Sequence, residues 1–249
     1  MSALETQLLC KNFGALSVAN QIDFRLEPGA RHALIGPNGA GKTTFINLIT
    51  GRLAPSSGTI KLAGEDVTSL SQSKRVKRGL GRTFQINTLF RGLSVLENVF
   101  LAVCEREGIA NSILRRANAR TDLLEESYAL LESLHIGDDA LIPVRELPYG
   151  KLRLVELAIA LGLKPKVLLL DEPAAGLPSS ETAIVFDTVQ QLPKDIAILI
   201  IEHDMDLVFR LADRITVLVQ GTVLVEGTPD EIRHDAKVRE VYLGERDHG

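Results

Sequence analysis

The 249-residue chain reads as an α/β fold with a mostly parallel sheet, an N-terminal part rich in antiparallel strands, and an inserted α-helical stretch. Three observations predict this. A glycine-rich loop at 36–44 stands between a short apolar strand, 33–35, and a helix, 44–49. Two later runs, 167–170 and 196–201, are apolar throughout, as strands buried on both faces of a parallel sheet are. Between loop and runs, residues 94–135 change to helical periodicity.

In chain order, Gln7-Leu8-Leu9-Cys10 and Ile22-Asp23-Phe24-Arg25-Leu26 alternate apolar and polar residues as half-buried strands do, and Pro28-Gly29 breaks the second. Phe13 lies in the first segment, where an aromatic ring serves either a core or a purine face. After the loop helix, Pro55-Ser56-Ser57-Gly58 marks a turn and 59–64 reads as a strand. Lys74, Arg75, Lys77 and Arg78 cluster on a short helix and read first as a solvated face. Ser94-Val95-Leu96-Glu97 is a capping box, and a second helix covers roughly 118–135 with Leu123, Leu124, Leu130, Leu131 and Leu134 as its apolar stripe. The expected organisation is one domain over 1–249, with an α/β core at 1–86 and 164–249 and a helical subdomain at 87–163. Gln220-Gly221 joins two strands as a two-residue hairpin, and Pro229 opens a terminal helix.

The residues that point to chemistry follow the same order. Gly36-Pro37-Asn38-Gly39-Ala40-Gly41-Lys42-Thr43-Thr44 fits G-x-x-x-x-G-K-[ST] in its strand–loop–helix context. Such a loop turns backbone N–H groups inward to cradle phosphate, and the helix N-terminus adds its positive dipole end. Lys42 then reaches the β- and γ-phosphates of a nucleoside triphosphate, and the Thr43 hydroxyl ligates Mg²⁺. Asp171 and Glu172 close the apolar run 167–170, at the C-terminal strand ends where open α/β sheets bind ligands. Asp171 suits a Mg²⁺ water, and Glu172 suits the water that attacks the γ-phosphate. His203 follows the run 196–201, where it serves either the γ-phosphate or the structure. Gln85, after Arg82-Thr83-Phe84, carries no signal by itself.

Composition removes other classes. Twenty-eight basic against thirty-two acidic side chains leave a net charge of −4, which argues against a nucleic-acid face. Cys10 and Cys104 have neither disulfide nor zinc spacing, as expected of free thiols. No secretion signal is read at the N-terminus, and no apolar run approaches the ~20 residues a membrane helix needs. A cytoplasmic protein that reaches the membrane only through partners is the expectation.

The series of phosphate loop, Gln85, Leu147-Pro148-Tyr149-Gly150-Lys151, Asp171-Glu172 and His203 resembles the ATP-binding cassette of ABC transporters along essentially the whole chain. Arg82-Thr83-Phe84-Gln85, Ala174-Ala175-Gly176-Leu177, Ile201-Glu202-His203-Asp204-Met205 and Tyr242-Leu243-Gly244-Glu245 are similar to the ATPase subunits of branched-chain amino acid importers, a group that also serves amides and urea. The resemblance implies a P-loop NTPase core, ATP and Mg²⁺ as ligands, and ATP hydrolysis coupled to solute uptake. It gives Phe13 the adenine, Gln85 the Mg²⁺ and attacking water, Glu172 the catalytic base, and His203 the γ-phosphate. Leu147 and Gly150 belong to a signature that closes on ATP held by a second cassette, of the same or a paralogous chain. Two membrane permeases and, indirectly, an extracytoplasmic solute-binding protein complete the implied assembly at the cytoplasmic face of the membrane. The signature departs from the usual L-S-G-G-Q at Pro148, Tyr149 and Lys151, and a lost hydroxyl donor to phosphate costs about 1.5–3 kcal/mol. The rival readings are an importer of urea, amides or related organic acids, a soluble non-transport ABC ATPase, and a regulatory nucleotide-binding module that closes on ATP but barely hydrolyses it.

Overall fold

The computed structural model describes residues 1–83, 89–109 and 121–244. By internal packing the chain forms two compact units: Met1–Leu80 with Lys166–Glu172 and Pro193–Gly249, and Gly81–Pro165 with Pro173–Leu192. The stretch Pro173–Leu192, read from the sequence as part of the α/β core, groups here with the helical unit.

The first unit holds two sheets. Strands β1 (Leu4–Phe13), β2 (Leu16–Leu26), β4 (Ser57–Leu62) and β5 (Glu65–Asp66) form an antiparallel sheet in the order β2-β1-β4-β5. Strands β3 (Arg31–Ile35), β7 (Val167–Asp171), β8 (Ala197–Ile201), β9 (Arg214–Val219) and β10 (Thr222–Gly227) run in the order β10-β9-β3-β8-β7, with β6 (Leu80–Arg82) starting at the β7 edge. β3, β7, β8 and β9 are mutually parallel where they pair, and β10 returns antiparallel through the Gln220–Gly221 hairpin.

Both faces of the parallel sheet are covered, which is why its strands are apolar without alternation. One buried cluster joins Leu34, Leu169, Leu199 and Leu218 to Phe24, Ile60 and the helix residues Phe45, Ile46 and Ile49. The other joins Ala33, Ile35, Ile215 and Val217 to Val208, Ile232 and Val238. Successive residues of β3 thus serve opposite faces, as strand geometry requires.

The loop helix α1 (Lys42–Thr50) ends at Gly51 in the left-handed region. Arg75, on α2 (Gln72–Val76), corrects the expectation of a wholly solvated basic face: it is 1% exposed. Its guanidinium donates to the carbonyls of Leu48 and Ile49, both at 2.7 Å, of Thr68 at 2.9 Å, and of Leu70 at 3.0 Å. The orphan carbonyls at the end of α1 are therefore satisfied by a buried cation matched to the negative helix end. Arg78, by contrast, lies at the surface with Glu65, 2.9 Å away.

In the second unit, α3 (Val95–Arg106) begins with the expected capping box, Ser94 accepting from the Glu97 N–H and the Glu97 carboxylate accepting from the Ser94 N–H. It packs with α4 (Thr121–Ser133) and α5 (Tyr149–Gly162). Arg106 fixes the three: it bonds both oxygens of Glu126 at 2.7 and 2.9 Å and the carbonyl of Gly162 at 2.8 Å. The Arg106 pair, the largest cause, and a Lys164 contact hold the Glu126 carboxyl at about 2. Leu123, Leu131 and Leu134 are buried as expected, whereas Leu124 is exposed. The last helix of this unit is α6 (Ser179–Gln191).

Candidate nucleotide site

The phosphate loop is held from behind by backbone rather than by side chains. Gly36, at φ 153°, leaves no room for a Cβ, which would lie 2.1 Å from the Leu218 carbonyl oxygen. The Ala40 N–H donates to the Pro37 carbonyl at 3.2 Å, and the Ala40 carbonyl accepts from the Gly221 N–H at 2.8 Å. The hairpin turn after β9 is thus bonded to the loop, and the Gly221 carbonyl in turn accepts from the Asn20 N–H at 2.8 Å. Asn38 and Gly39 are exposed at the loop crest.

Gly41 caps α1 with φ 102°, no side chain caps that helix, and its first turn holds no acid. Its N–H groups are therefore reserved for something other than the helix's own side chains. Lys42 Nζ folds over the loop, donating to the Gly36 carbonyl and, at 3.0 Å, to that of Pro37. Thr43 is exposed and Thr44 half-buried in the first turn.

Strand register assembles the rest. In the parallel ladders Leu34 pairs with Ile201, and Ile201 pairs with Asp171. The residues following these three positions, the loop, Glu202-His203 and Glu172, leave the sheet side by side at its C-terminal edge, although they are far apart in sequence. Glu172 is exposed and sits at φ 47°, a left-handed conformation that a residue with a Cβ rarely adopts. The strain is maintained by a backbone bond, since the Glu172 N–H donates to the Ile201 carbonyl at 2.9 Å. Non-glycine residues held this way concentrate at functional sites.

His203 has 69% of its side chain exposed, while Glu202 beside it is buried. A Glu202 carboxylate oxygen accepts from the His203 N–H at 3.2 Å and lies 3.8 Å from the ring Nδ1. Asp204 then caps α7 (Met205–Leu211), accepting from the Asp206 and Leu207 N–H groups at 3.0 and 3.3 Å. His203 is therefore held between a strand end and a fixed helix start, its ring facing solvent. Phe13, at the end of β1, is 52% exposed, with Lys11 Nζ 5.2 Å from its ring centre. Of the two readings open in the sequence, core or purine face, the core is thus removed. Gln85 lies outside the described residues.

The signature residues belong to the second unit. Pro148 occupies the N-cap of α5 with no side-chain bond, Leu147 is half-buried, and Gly150 is buried. Lys151 does not project freely: its Nζ lies 2.7 and 2.8 Å from the two oxygens of Asp139. The Tyr149 hydroxyl lies 3.2 Å from Arg153, whose guanidinium stands 5.4 Å over the Tyr149 ring. Arg153 also pairs with buried Glu156 at 3.0 Å. Burial dominates there and pushes the Glu156 carboxyl up to about 7, against the opposing pull of Arg153.

Three features escaped sequence reasoning: the Gly221 brace, the left-handed Glu172 and the buried Arg75. The dipeptide Gln220-Gly221 marked a turn, but only long-range pairing tells which loop a turn touches. Among the described residues no cluster of three or more His, Cys, Asp or Glu could hold a metal. The donors expected for Mg²⁺, the Thr43 hydroxyl and Asp171 carboxylate, are hard oxygens of the kind that share this ion with phosphates, and so fit it. No helix among the described residues is long and apolar enough to cross a membrane.

Comparison with known proteins gives the family and the fold. The ABC transporter family model matches residues 19–175, and the branched-chain amino acid ATP-binding cassette transporter model matches residues 222–248. The chain is 38% identical over 244 residues to the high-affinity branched-chain amino acid transport ATP-binding protein LivG of Escherichia coli (strain K12), covering 95% of this chain and 96% of that protein. It is 36% identical over 249 residues to BraF of Pseudomonas aeruginosa, which bears the same description, with 97% and 98% covered. Among solved structures, an ATP-binding cassette of an ABC transporter in its ADP conformation superposes with a TM-score of 0.85 at 30% identity, over 98% of this chain and 99% of that one. A nucleotide-free cassette superposes with a TM-score of 0.84 at 30% identity, over 97% and 99%.

Proposed function

The chain belongs to the family of ABC transporter ATP-binding cassettes, and from that premise we propose that it is the ATP-hydrolysing subunit of an importer of branched-chain amino acids. The observation that carries the catalytic part is the register Leu34–Ile201–Asp171, from which phosphate loop, carboxylates and histidine emerge together. The solute rests on the names of the relatives and on the C-terminal family match.

In this reading Gly36, Pro37, Asn38, Gly39, Ala40 and Gly41 wrap the phosphates with backbone N–H groups, and Lys42 and Thr44 hold them at the helix start. The adenine stacks on Phe13, a half-exposed ring of the kind that gives a base its platform. Thr43, Asp171 and Gln85 would hold Mg²⁺, which when bound neutralises charge on the phosphates. Glu172 orients and deprotonates the attacking water; its strained backbone aims the carboxylate outward from the strand end. His203 donates to the γ-phosphate from its fixed position before α7. The transfer itself needs little covalent help, so positioning and charge carry the rate.

A second cassette, of the same or a paralogous chain, supplies Leu147 and Gly150 to complete each site. ATP closes the pair and hydrolysis reopens it, which does work because ATP binds the closed state better. Two membrane permeases receive the motion, a solute-binding protein outside the membrane delivers the solute, and the cassettes sit peripherally on the cytoplasmic face.

The test is phosphate release by wild type and Glu172→Gln. A fall of at least about 100-fold, with nucleotide binding retained, is expected of a lost general base; equal rates would remove Glu172 from the role. Mild solubilisation of membranes carrying tagged protein should recover two permeases, and capture of only non-membrane partners would end the importer reading.

A further inference from the structure

The first turn of α5 carries a structural contact that the nucleotide site does not explain. Gly150 is buried, and the space where its Cβ would stand is filled by Glu181 from α6: a Cβ there would lie 2.4 Å from Glu181 Oε2, 3.0 Å from its carboxyl carbon, and 3.2 Å from its Cβ. The oxygen in question is buried, and among the described residues it has no hydrogen-bond partner. A shielded carboxylate oxygen without a donor is costly unless the surrounding field favours it.

The field at this turn does. No side chain caps α5, because Pro148 stands at the N-cap with nothing to offer, and the first turn contains no acid. The positive end of the helix dipole is therefore met by Glu181 across space. The nearby cations do not compete: Lys151 is engaged by Asp139 at 2.7 Å, and Arg153 by Glu156 at 3.0 Å. A negative group thus already stands beside the turn that, in the function proposed above, must accept a phosphate from a second chain.

We propose that Glu181 tunes this trans site: its carboxylate occupies the flank of Gly150 and must yield to the incoming γ-phosphate, setting the ATP concentration at which two chains close. The inference rests on the paired-cassette reading. Two anions cannot share one uncapped helix start without mutual repulsion, so the carboxylate raises the threshold for closure while leaving the phosphate loop of its own chain untouched. A Cβ at position 150 would displace this carboxylate, so glycine there lets the carboxylate keep its place beside the helix start.

The experiment uses the full chain in a Glu172→Gln background, which holds ATP unhydrolysed. Sedimentation gives the ATP concentration for half-dimerisation with and without Glu181→Gln, and a fluorescent ATP analogue at monomeric protein concentration gives the affinity of the phosphate loop. Glu181→Gln is expected to lower the half-dimerisation concentration about fivefold, with unchanged monomer affinity. The gap should narrow as salt rises toward 1 M, because part of the effect is electrostatic. Glu181→Ala should shift in the same direction. An unchanged or raised threshold in Glu181→Gln, or a fall in Glu181→Ala alone, would make the residue a packing element and overturn the proposal. If the Glu172→Gln parent fails to dimerise at any ATP concentration, the paired-cassette reading falls and takes this inference with it; a dimerising parent with an unresponsive Glu181→Gln removes the inference alone.

Discussion

At the scale of single residues, catalysis and stability pull against each other at Glu172. Its φ of 47° is a cost that glycine would not carry. Glu172→Gly is therefore expected to raise the stability of the nucleotide-free chain by about 0.5–1 kcal/mol, the relief of strain outweighing the added freedom of the unfolded chain. The same variant should lose phosphate release as completely as Glu172→Gln. Thermal denaturation beside a turnover assay checks both, and a destabilised Glu172→Gly would show that the backbone there is not strained. Glu156 makes the second residue-scale prediction. With its carboxyl raised by burial from 4.5 to about 7, the folded state binds this proton more tightly than the unfolded state does. The stability so gained is complete below about pH 4.5 and lost as pH rises through 7. Glu156→Gln should abolish that fall, on the order of 2 kcal/mol between pH 5 and 7, which urea titrations at the two pH values would detect.

At the scale of elements, the buried Arg75 secures the end of α1 together with the left-handed Gly51 cap. Removing Arg75 strands the carbonyls of Leu48, Ile49, Thr68 and Leu70. Arg75→Ala should cost about 3 kcal/mol or more and loosen α1, so that nucleotide affinity falls along with the melting temperature. Arg75→Lys should rescue little, since one ammonium cannot reach four carbonyls in a planar fork. Unchanged stability in Arg75→Ala would mean that water replaces the guanidinium. This is also where legibility from sequence ends. The phosphate loop, the Ser94 capping box, the two apolar runs and the Gln220-Gly221 hairpin are local patterns, and local physics writes them into adjacent residues. Arg75 looked like its neighbours Lys74 and Lys77 because a charge run has no periodicity that distinguishes the one residue turned inward. Strand order was equally hidden: β8 lies between β3 and β7, so His203 leaves the sheet between the loop and Glu172, a placement that no spacing in the chain encodes. The signature region was legible as a motif, yet its Lys151–Asp139 and Gly150–Glu181 contacts depend on partners twelve and thirty-one residues away, and only packing selects them.

At the scale of the whole molecule, ligand binding and folding are one equilibrium, which makes the nucleotide reading testable without turnover. A ligand that binds only the folded chain stabilises it by about 2.7 kcal/mol at a hundred times its dissociation constant. For a chain of 249 residues, at about 2–4 °C per kcal/mol, that corresponds to a rise in melting temperature of roughly 5–11 °C. A non-hydrolysable ATP analogue with Mg²⁺ should produce that rise in wild type. Lys42→Ala should abolish it while costing the nucleotide-free chain little, because Lys42 is half-buried and its ammonium donates to loop carbonyls, among them those of Gly36 and Pro37, rather than filling the core. Chelation of Mg²⁺ should reduce the rise without abolishing it, since backbone N–H groups and the end of α1 hold phosphate independently of the ion. Hydrogen exchange then locates the effect. Protection is expected in the first unit, with the loop, α1 and the braced Gly221 turn foremost, because they share one chain of backbone bonds through Ala40. A stabilisation that survives Lys42→Ala, or protection confined to the helical unit, would place the nucleotide somewhere other than the phosphate loop and would remove the assignment of Phe13, Glu172 and His203 with it.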